Sequence, residues 1–360
     1  DLNESPVDDN IRINPVLNGN NVWVTALTGS YNVDEHSYVY SPSFDLSAMD
    51  RPIVFFDSYT DMNGGHGVVL QYSTDTLNIA DKAKEWKTLG TNQTGIGWYN
   101  RQGLSSKPGD QLTGDYGWSD NITGWQVSKH ALNGIPVTER DTIVFRFALA
   151  AIGTPNQDGF AFDNFRIGNG TRTVLLENFT NTGITADPLK AVVREENDAF
   201  RTFKEGSFGT EVVKIEYHVA FPGEDPFNKE NPVDPGARAL YYGISTIPHA
   251  RLDGATYKNP SPLFTDWGDA EFSKRLLDLS NADIAIIDPT ITPEGLLEFS
   301  VTVRPTIDLP GASILHVAIV EETVSVANNS SLSGRIDSGE PEFKYVMRKM
   351  LSSAAGTKLT

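Results

Sequence analysis

Between residues 20 and 167 the apolar positions fall in short runs, continuous or alternating, and never at helical spacing. Ile53-Val54-Phe55-Phe56, Gly67-Val68-Val69-Leu70-Gln71-Tyr72 and Thr142-Ile143-Val144-Phe145-Arg146-Phe147 each read as a strand, with glycine, asparagine and aspartate clustered between them. Short strands and long polar loops predict a jelly-roll β-sandwich. Strand alternation places Phe160, Phe162 and Asn164 on one face of the last strand. Ala161, Asp163, Phe165 and Ile167 fall on the other.

Gly168-Asn169-Gly170 breaks this pattern. Beyond it, Leu189, Val192, Val193 and Phe200 recur at helical spacing within 189–203, and 237–244 and 272–279 are further helix candidates. Strand-like runs at Thr173–Phe179 and Val212–His218 interleave with them, which predicts an α/β unit. From Ala282 strands return, at 282–287, 297–303 and 314–320. The expected architecture is multidomain and mainly β: a jelly roll over 1–170, a thioredoxin-like α/β domain over 171–275, and a partial Ig-like β-sandwich over 276–360.

The thioredoxin-like reading follows from the order strand, helix, strand, then an Ile247-Pro248 step before Arg251-Leu252-Asp253-Gly254. In that order Ile184 and Asp187 of Thr182-Gly183-Ile184-Thr185-Ala186-Asp187-Pro188 take the spacing of a Cys-x-x-Cys pair. Thiol–disulfide exchange needs a thiolate and a resolving sulfur. Isoleucine and aspartate supply neither, so no enzyme activity is expected of this site. Ile247-Pro248 matches the cis-proline loop beside a thioredoxin active site; it is either an inherited turn or the remnant of a peptide-holding groove.

Composition narrows the function classes. The chain has 360 residues and no cysteine, which removes disulfides and thiolate metal sites together. A net charge of −18 repels phosphate backbones and anionic headgroups, so nucleic-acid binding and membrane-surface binding are not expected. No apolar run approaches the ~20 residues that span a bilayer. The chain starts at Asp1 without methionine and ends at Thr360 without a cap, as a processed or trimmed product would.

Two groups of sequence words resemble known families. Tyr38-Val39-Tyr40-Ser41-Pro42-Ser43-Phe44-Asp45-Leu46-Ser47, Gly97-Trp98-Tyr99, Gly117-Trp118 and Asp158-Gly159-Phe160-Ala161-Phe162-Asp163-Asn164-Phe165 are similar to the MAM-like jelly rolls of secreted and cell-surface proteins of Bacteroidetes, many exported by the type IX system. Arg172 to Gly183, Glu216-Tyr217-His218-Val219-Ala220-Phe221-Pro222-Gly223-Glu224-Asp225, Ala237 to Pro248 and Phe343 to Lys349 resemble Bacteroidetes outer-membrane proteins with a thioredoxin-like core, over about 171–360. Members often carry Cys-x-x-Cys-Pro where this chain has Ile184 to Pro188.

The resemblances imply an extracellular or surface-displayed, non-catalytic binding, adhesion or spacer protein. Its expected partners are a surface glycan, a surface protein or a second copy. Alternatives are an accessory region of a secreted peptidase or glycan hydrolase, or a peptide-holding chaperone. No cofactor is required, although such jelly rolls leave room for a structural calcium, with Asp163, Asp45 and Asp34 as oxygen donors. Trp98, Trp118 and Trp125 are either core residues or a glycan-stacking platform. Asp75-Thr76-Leu77 and Asp141-Thr142-Ile143 match the Bacteroidetes O-glycosylation signal at Thr76 and Thr142. The six histidines are scattered, and His218 beside Glu216 is expected to be a satisfied core residue rather than a general base.

Overall fold

A computed structural model describes residues 22–74, 85–203, 212–254, 261–309, 313–332 and 334–359. The fold class expected from the pattern is observed: mainly β, a sandwich followed by a thioredoxin-like α/β arrangement and further strand pairs. Two compact units divide at Thr171/Arg172.

In the first unit the strands are β1 (Trp23–Val24), β2 (His36–Phe44), β3 (Pro52–Asp61), β4 (Gly67–Ser73), β5 (Lys87–Thr88), β6 (Arg101–Gln102), β7 (Tyr116–Gly117), β8 (Asn121–Ala131), β9 (Ile143–Ala150) and β10 (Gly159–Asn169). They form two antiparallel four-stranded sheets, β1-β10-β3-β8 and β2-β9-β4-β5, with β6 and β7 paired apart. The core between the sheets is aromatic: Phe56, Trp98, Trp118, Phe145, Phe147 and Phe160 are all buried in one cluster. Closing such a sandwich buries large rings, each of which removes on the order of 150–250 Å² from water.

The expected alternation along β10 fails after Asp163. A bulge lies between Asp163 and Arg166, and Asn164 takes a left-handed φ of 54°. The extra residue shifts the register, so Phe165 and Ile167 join Phe160 and Phe162 against the core.

The second unit begins with β11 (Val174–Thr180), α1 (Leu189–Thr202) and β12 (Val212–His218). β11 and β12 pair in parallel, which the helical crossover permits. A five-residue helix α2 (Pro226–Glu230) follows, unforeseen from periodicity. Asp225 caps it, accepting from the amides of Phe227 and Asn228, with proline at the first helical position. Helix α3 (Val233–Tyr242) stops at Gly243, which sits at φ 66° as a left-handed cap. Strand β13 (His249–Leu252) pairs antiparallel with β11, and α4 (Asp269–Leu276) comes next.

The remaining strands are β14 (Ala282–Ile291), β15 (Leu297–Pro305), β16 (Ile314–Leu315), β17 (Val317–Ser325), β18 (Glu342–Leu351) and β19 (Thr357–Lys358). A separate domain from 276 was expected, and here the structure differs. β18 pairs in parallel with β12, and β17 with β18, giving one sheet ordered β13-β11-β12-β18-β17. Met347 and Met350 of β18 share a buried cluster with Phe179 and Tyr217. Residues 317–351 therefore extend the α/β sheet instead of starting a new core. β14 and β15 form a hairpin whose isoleucines, Ile284 and Ile286 among them, are exposed.

Candidate functional site

The loop that replaces the redox pair is held from several sides. The Asn181 side chain donates to the carbonyls of Val219 and Gly223, and the Thr182 amide donates to Asp225 at 2.7 Å. Gly183 passes so close to Glu224 that a Cβ would lie 2.2 Å from its carbonyl oxygen. Ile184 is buried with Phe179, Tyr217 and Ile247 in one apolar cluster, while Asp187 is exposed. The two positions at Cys-x-x-Cys spacing thus point into different surroundings and build no joint site. The Ile247–Pro248 bond is cis, and both residues are buried. Ile247 and Ile184 fall in the same buried apolar cluster. His249, next in the chain, has no partner for either ring nitrogen among the described residues, and burial followed by Arg251 lowers its pKa.

Beneath this loop runs a buried polar line. His218 Nδ1 meets Asp225 at 2.9 Å and its Nε2 meets Glu216 at 3.1 Å. Asn178, Asn197 and Glu340 continue the line through side-chain bonds of 3.3 and 2.8 Å. All six side chains are out of solvent, so this constellation is structural rather than accessible to a substrate. His218 is a satisfied core histidine.

In the jelly roll, Trp98 is 7% exposed and Trp118 is fully buried, their indole nitrogens donating to the carbonyls of Leu89 and Gly97. They pack edge-on at 5.0 Å and cannot stack on a ligand, which corrects the platform reading for both. Trp125 is half-buried against Tyr59.

A second polar group lies on the face of the second sheet turned away from the aromatic core. Strand register sets Tyr40, Arg146, Gln71 and Thr88 side by side across β2, β9, β4 and β5. The Arg146 guanidinium sits over the rings of Tyr38 and Trp86 at 4.4 and 4.2 Å and donates to Gln71 at 2.8 Å. Gln71 in turn donates to the Gly109 carbonyl at 2.9 Å. Only glycine fits position 109, where φ is 65° and a Cβ would meet the Gln71 amide at 2.4 Å. Lys107 and Asp110 also adopt left-handed φ, at 50° and 60°. Such strained positions concentrate where a loop is shaped for a task.

Between this loop and β5 opens a cleft of about 380 Å³, lined by Trp86, Thr88, Asp110, Gln111, Asp115 and Tyr116 among others. Its size falls in the range of small-molecule sites, about 300–1,000 Å³. Gln111 is 5% exposed, and among the described residues neither end of its amide has a partner. Sequence reading missed Trp86, Gln111 and Tyr116, because only the cross-strand register brings them together.

The three aspartates proposed for calcium do not converge. Asp34 and Asp45 flank opposite ends of β2, about 30 Å of strand apart at roughly 3.3 Å per residue. Each is engaged separately: Asp34 accepts from the Gly153 amide, far along the chain, Asp45 from Ser47 and Asp163 from Asn164. Among the described residues no group of three histidine or acidic side chains could hold a metal ion. Thr142 is half-buried just before β9, and Thr76 lies outside the described residues.

No protein-family model matches the chain, and no curated protein matches it. Among solved structures it is similar to HBP35 of Porphyromonas gingivalis, with 18% identity and a TM-score of 0.37 over 54% of this chain and 61% of that one. It is also similar to the arabinosyltransferase EmbB from Mycobacterium smegmatis, with 14% identity and a TM-score of 0.20 over 42% of this chain and 14% of that one. The chain spans less than two thirds of either.

Proposed function

We propose that this is a non-catalytic binding protein, displayed outside the cell or on its surface, whose jelly roll carries the recognition site. The observation behind this reading is the outer-face cleft: a concave, polar, ring-flanked space with an unpaired amide in its wall. Binding sites combine a few placed polar groups with aromatic surface in this way. The α/β unit supports the same reading from the other side. Its degenerate redox positions are split between core and solvent, and its histidine–carboxylate line is sealed. An acidic, cysteine-free chain suits an extracellular setting, and no helix of the described residues is long and apolar enough to cross a membrane.

Partners of the cleft are a surface glycan or surface protein. The test is retention of the full chain on isolated cell-surface fractions, alongside a disulfide-reductase assay. Saturable retention with no reductase turnover is expected. A chain that binds no fraction, or that turns over a disulfide or any hydrolase substrate, removes the reading.

A further inference from the structure

The chemistry of the cleft narrows its ligand, taking the surface-binding reading as its basis. We propose that it binds a neutral, hydroxyl-rich saccharide and excludes anionic sugars.

Three features of the lining carry this. First, Gln111 lines the cleft, and its amide donor and acceptor are both screened from water and unpaired among the described residues. A buried amide left unpaired is costly, so its natural complement is a group that donates and accepts at once. A pair of neighbouring sugar hydroxyls does this. Second, Asp110 and Asp115 line the same space, and among the described residues no lysine or arginine lines it. Carboxylates accept from hydroxyls in strong, charge-assisted bonds but repel a uronate or sialate. Arg146, close behind, is already engaged by Gln71, Tyr38 and Trp86. Third, Trp86 and Tyr116 add half-buried aromatic surface to the lining. Rings with an apolar body and a polar tip suit the C–H faces of a pyranose. The Arg146 contact holds the indole in place, so little side-chain freedom is lost on binding.

Nucleic acid and phosphosugars fail on charge. An apolar ligand would offer no hydrogen bond to Gln111, Asp110 or Asp115. A neutral glycan satisfies all three features.

The test is calorimetric titration of the full chain with neutral hexose oligosaccharides and with uronate-bearing oligosaccharides of matched length. Saturable binding of at least one neutral oligomer is expected, with the uronate counterparts weaker by about tenfold or more. Gln111→Ala should weaken neutral binding by about tenfold, a loss of one well-made polar contact, with an unchanged melting midpoint because that amide holds nothing in the free chain. Asp110→Asn combined with Asp115→Asn should narrow the gap between neutral and anionic ligands. Three results overturn the proposal: no neutral oligomer saturates, uronates bind as well, or Gln111→Ala binds like the parent chain. If cell-surface fractions still retain the chain while the cleft variants are undiminished, the ligand class is wrong and the surface-binding reading stands. If no fraction retains it, both fall.

Discussion

His218 Nδ1 lies 2.9 Å from Oδ2 of Asp225, and neither side chain reaches solvent. Burial alone would depress the imidazole, yet Asp225 and then Glu216 outweigh it and push the pKa up to about 10. Asp225 is opposed by its own burial, but His218 and the Thr182 and Asn228 amides hold it below the usual carboxylate range. The pair ties β12 to the N-terminus of α2 and to the loop at Thr182.

A pH dependence follows from the sign of these shifts. The folded imidazole titrates above its unfolded value of 6.5, so its contribution is complete below that pH and fades as pH rises towards about 10. On the acid side Asp225 loses its contribution as it protonates, while Glu216, raised by burial, acts in the opposite sense. Urea midpoints of the parent chain should fall between pH 7 and 10. In His218→Gln that alkaline slope should flatten, and stability at neutral pH should drop by about 3–5 kcal/mol because Asp225 is left buried without its counter-ion. Parallel slopes in parent and variant would rule out this origin.

A second buried pair sits on β11. Glu177 is fully buried, with Arg238 Nε at 2.8 Å from one oxygen and the Tyr242 hydroxyl at 2.6 Å from the other. Arg238→Leu strands the carboxylate and should cost about 3–5 kcal/mol. Tyr242→Phe removes two bonds to charged groups, the one it donates to Glu177 and the one it accepts from Arg238, and should cost at least about 1.5–3 kcal/mol. The three groups share hydrogen bonds, so the double variant should cost less than the sum. Strict additivity in chemical denaturation would show that they do not act as one network.

Much of this fold was legible because strand period and turn chemistry are local properties. Ile53–Phe56, Val68–Tyr72 and Ile143–Phe147 are strands where their apolar runs predicted them. Three features escaped because they are not local. The bulge at Asn164 adds a residue that no alternation pattern announces. The parallel pairing of Glu216 with Val346 joins positions far apart in the chain, so β18 read as a new domain. A lone tryptophan carries no sign of its depth, and Trp98 and Trp118 proved to be core. The missing redox pair was legible outright, from composition alone. The cleft was not, since it needs Gln71 of β4, Thr88 of β5 and Gln111 of a loop in one place.

The tryptophans separate core from cleft experimentally. Trp118→Ala opens a cavity under Phe56, Phe147 and Phe160 and should cost about 3–5 kcal/mol. Trp86→Ala uncovers Arg146 and removes a cation–π contact worth about 0.5–2 kcal/mol, a much smaller change. Melting curves of the two variants check the order. Equal losses would mean that Trp86 is as deeply built into the fold as Trp118.

Restoring cysteines at the degenerate positions should restore spacing without chemistry. Ile184 is 4% exposed and packed beside Phe179 and Ile247, whereas Asp187 faces solvent. A thiol at 184 would lie in apolar surroundings that raise its pKa and shield it from attack. In Ile184→Cys/Asp187→Cys, Ellman's reagent should titrate the thiol at 187 at once and the thiol at 184 only after denaturant is added. The Ile184→Cys change should also cost about 1–2 kcal/mol, in line with a buried isoleucine losing a methyl group or more. No catalysed insulin reduction is expected, because attack and resolution both need a thiolate within reach of the disulfide. Rapid titration of both thiols, with reductase turnover, would mean that Ile184 closes a working site and that its buried packing is no barrier to the chemistry.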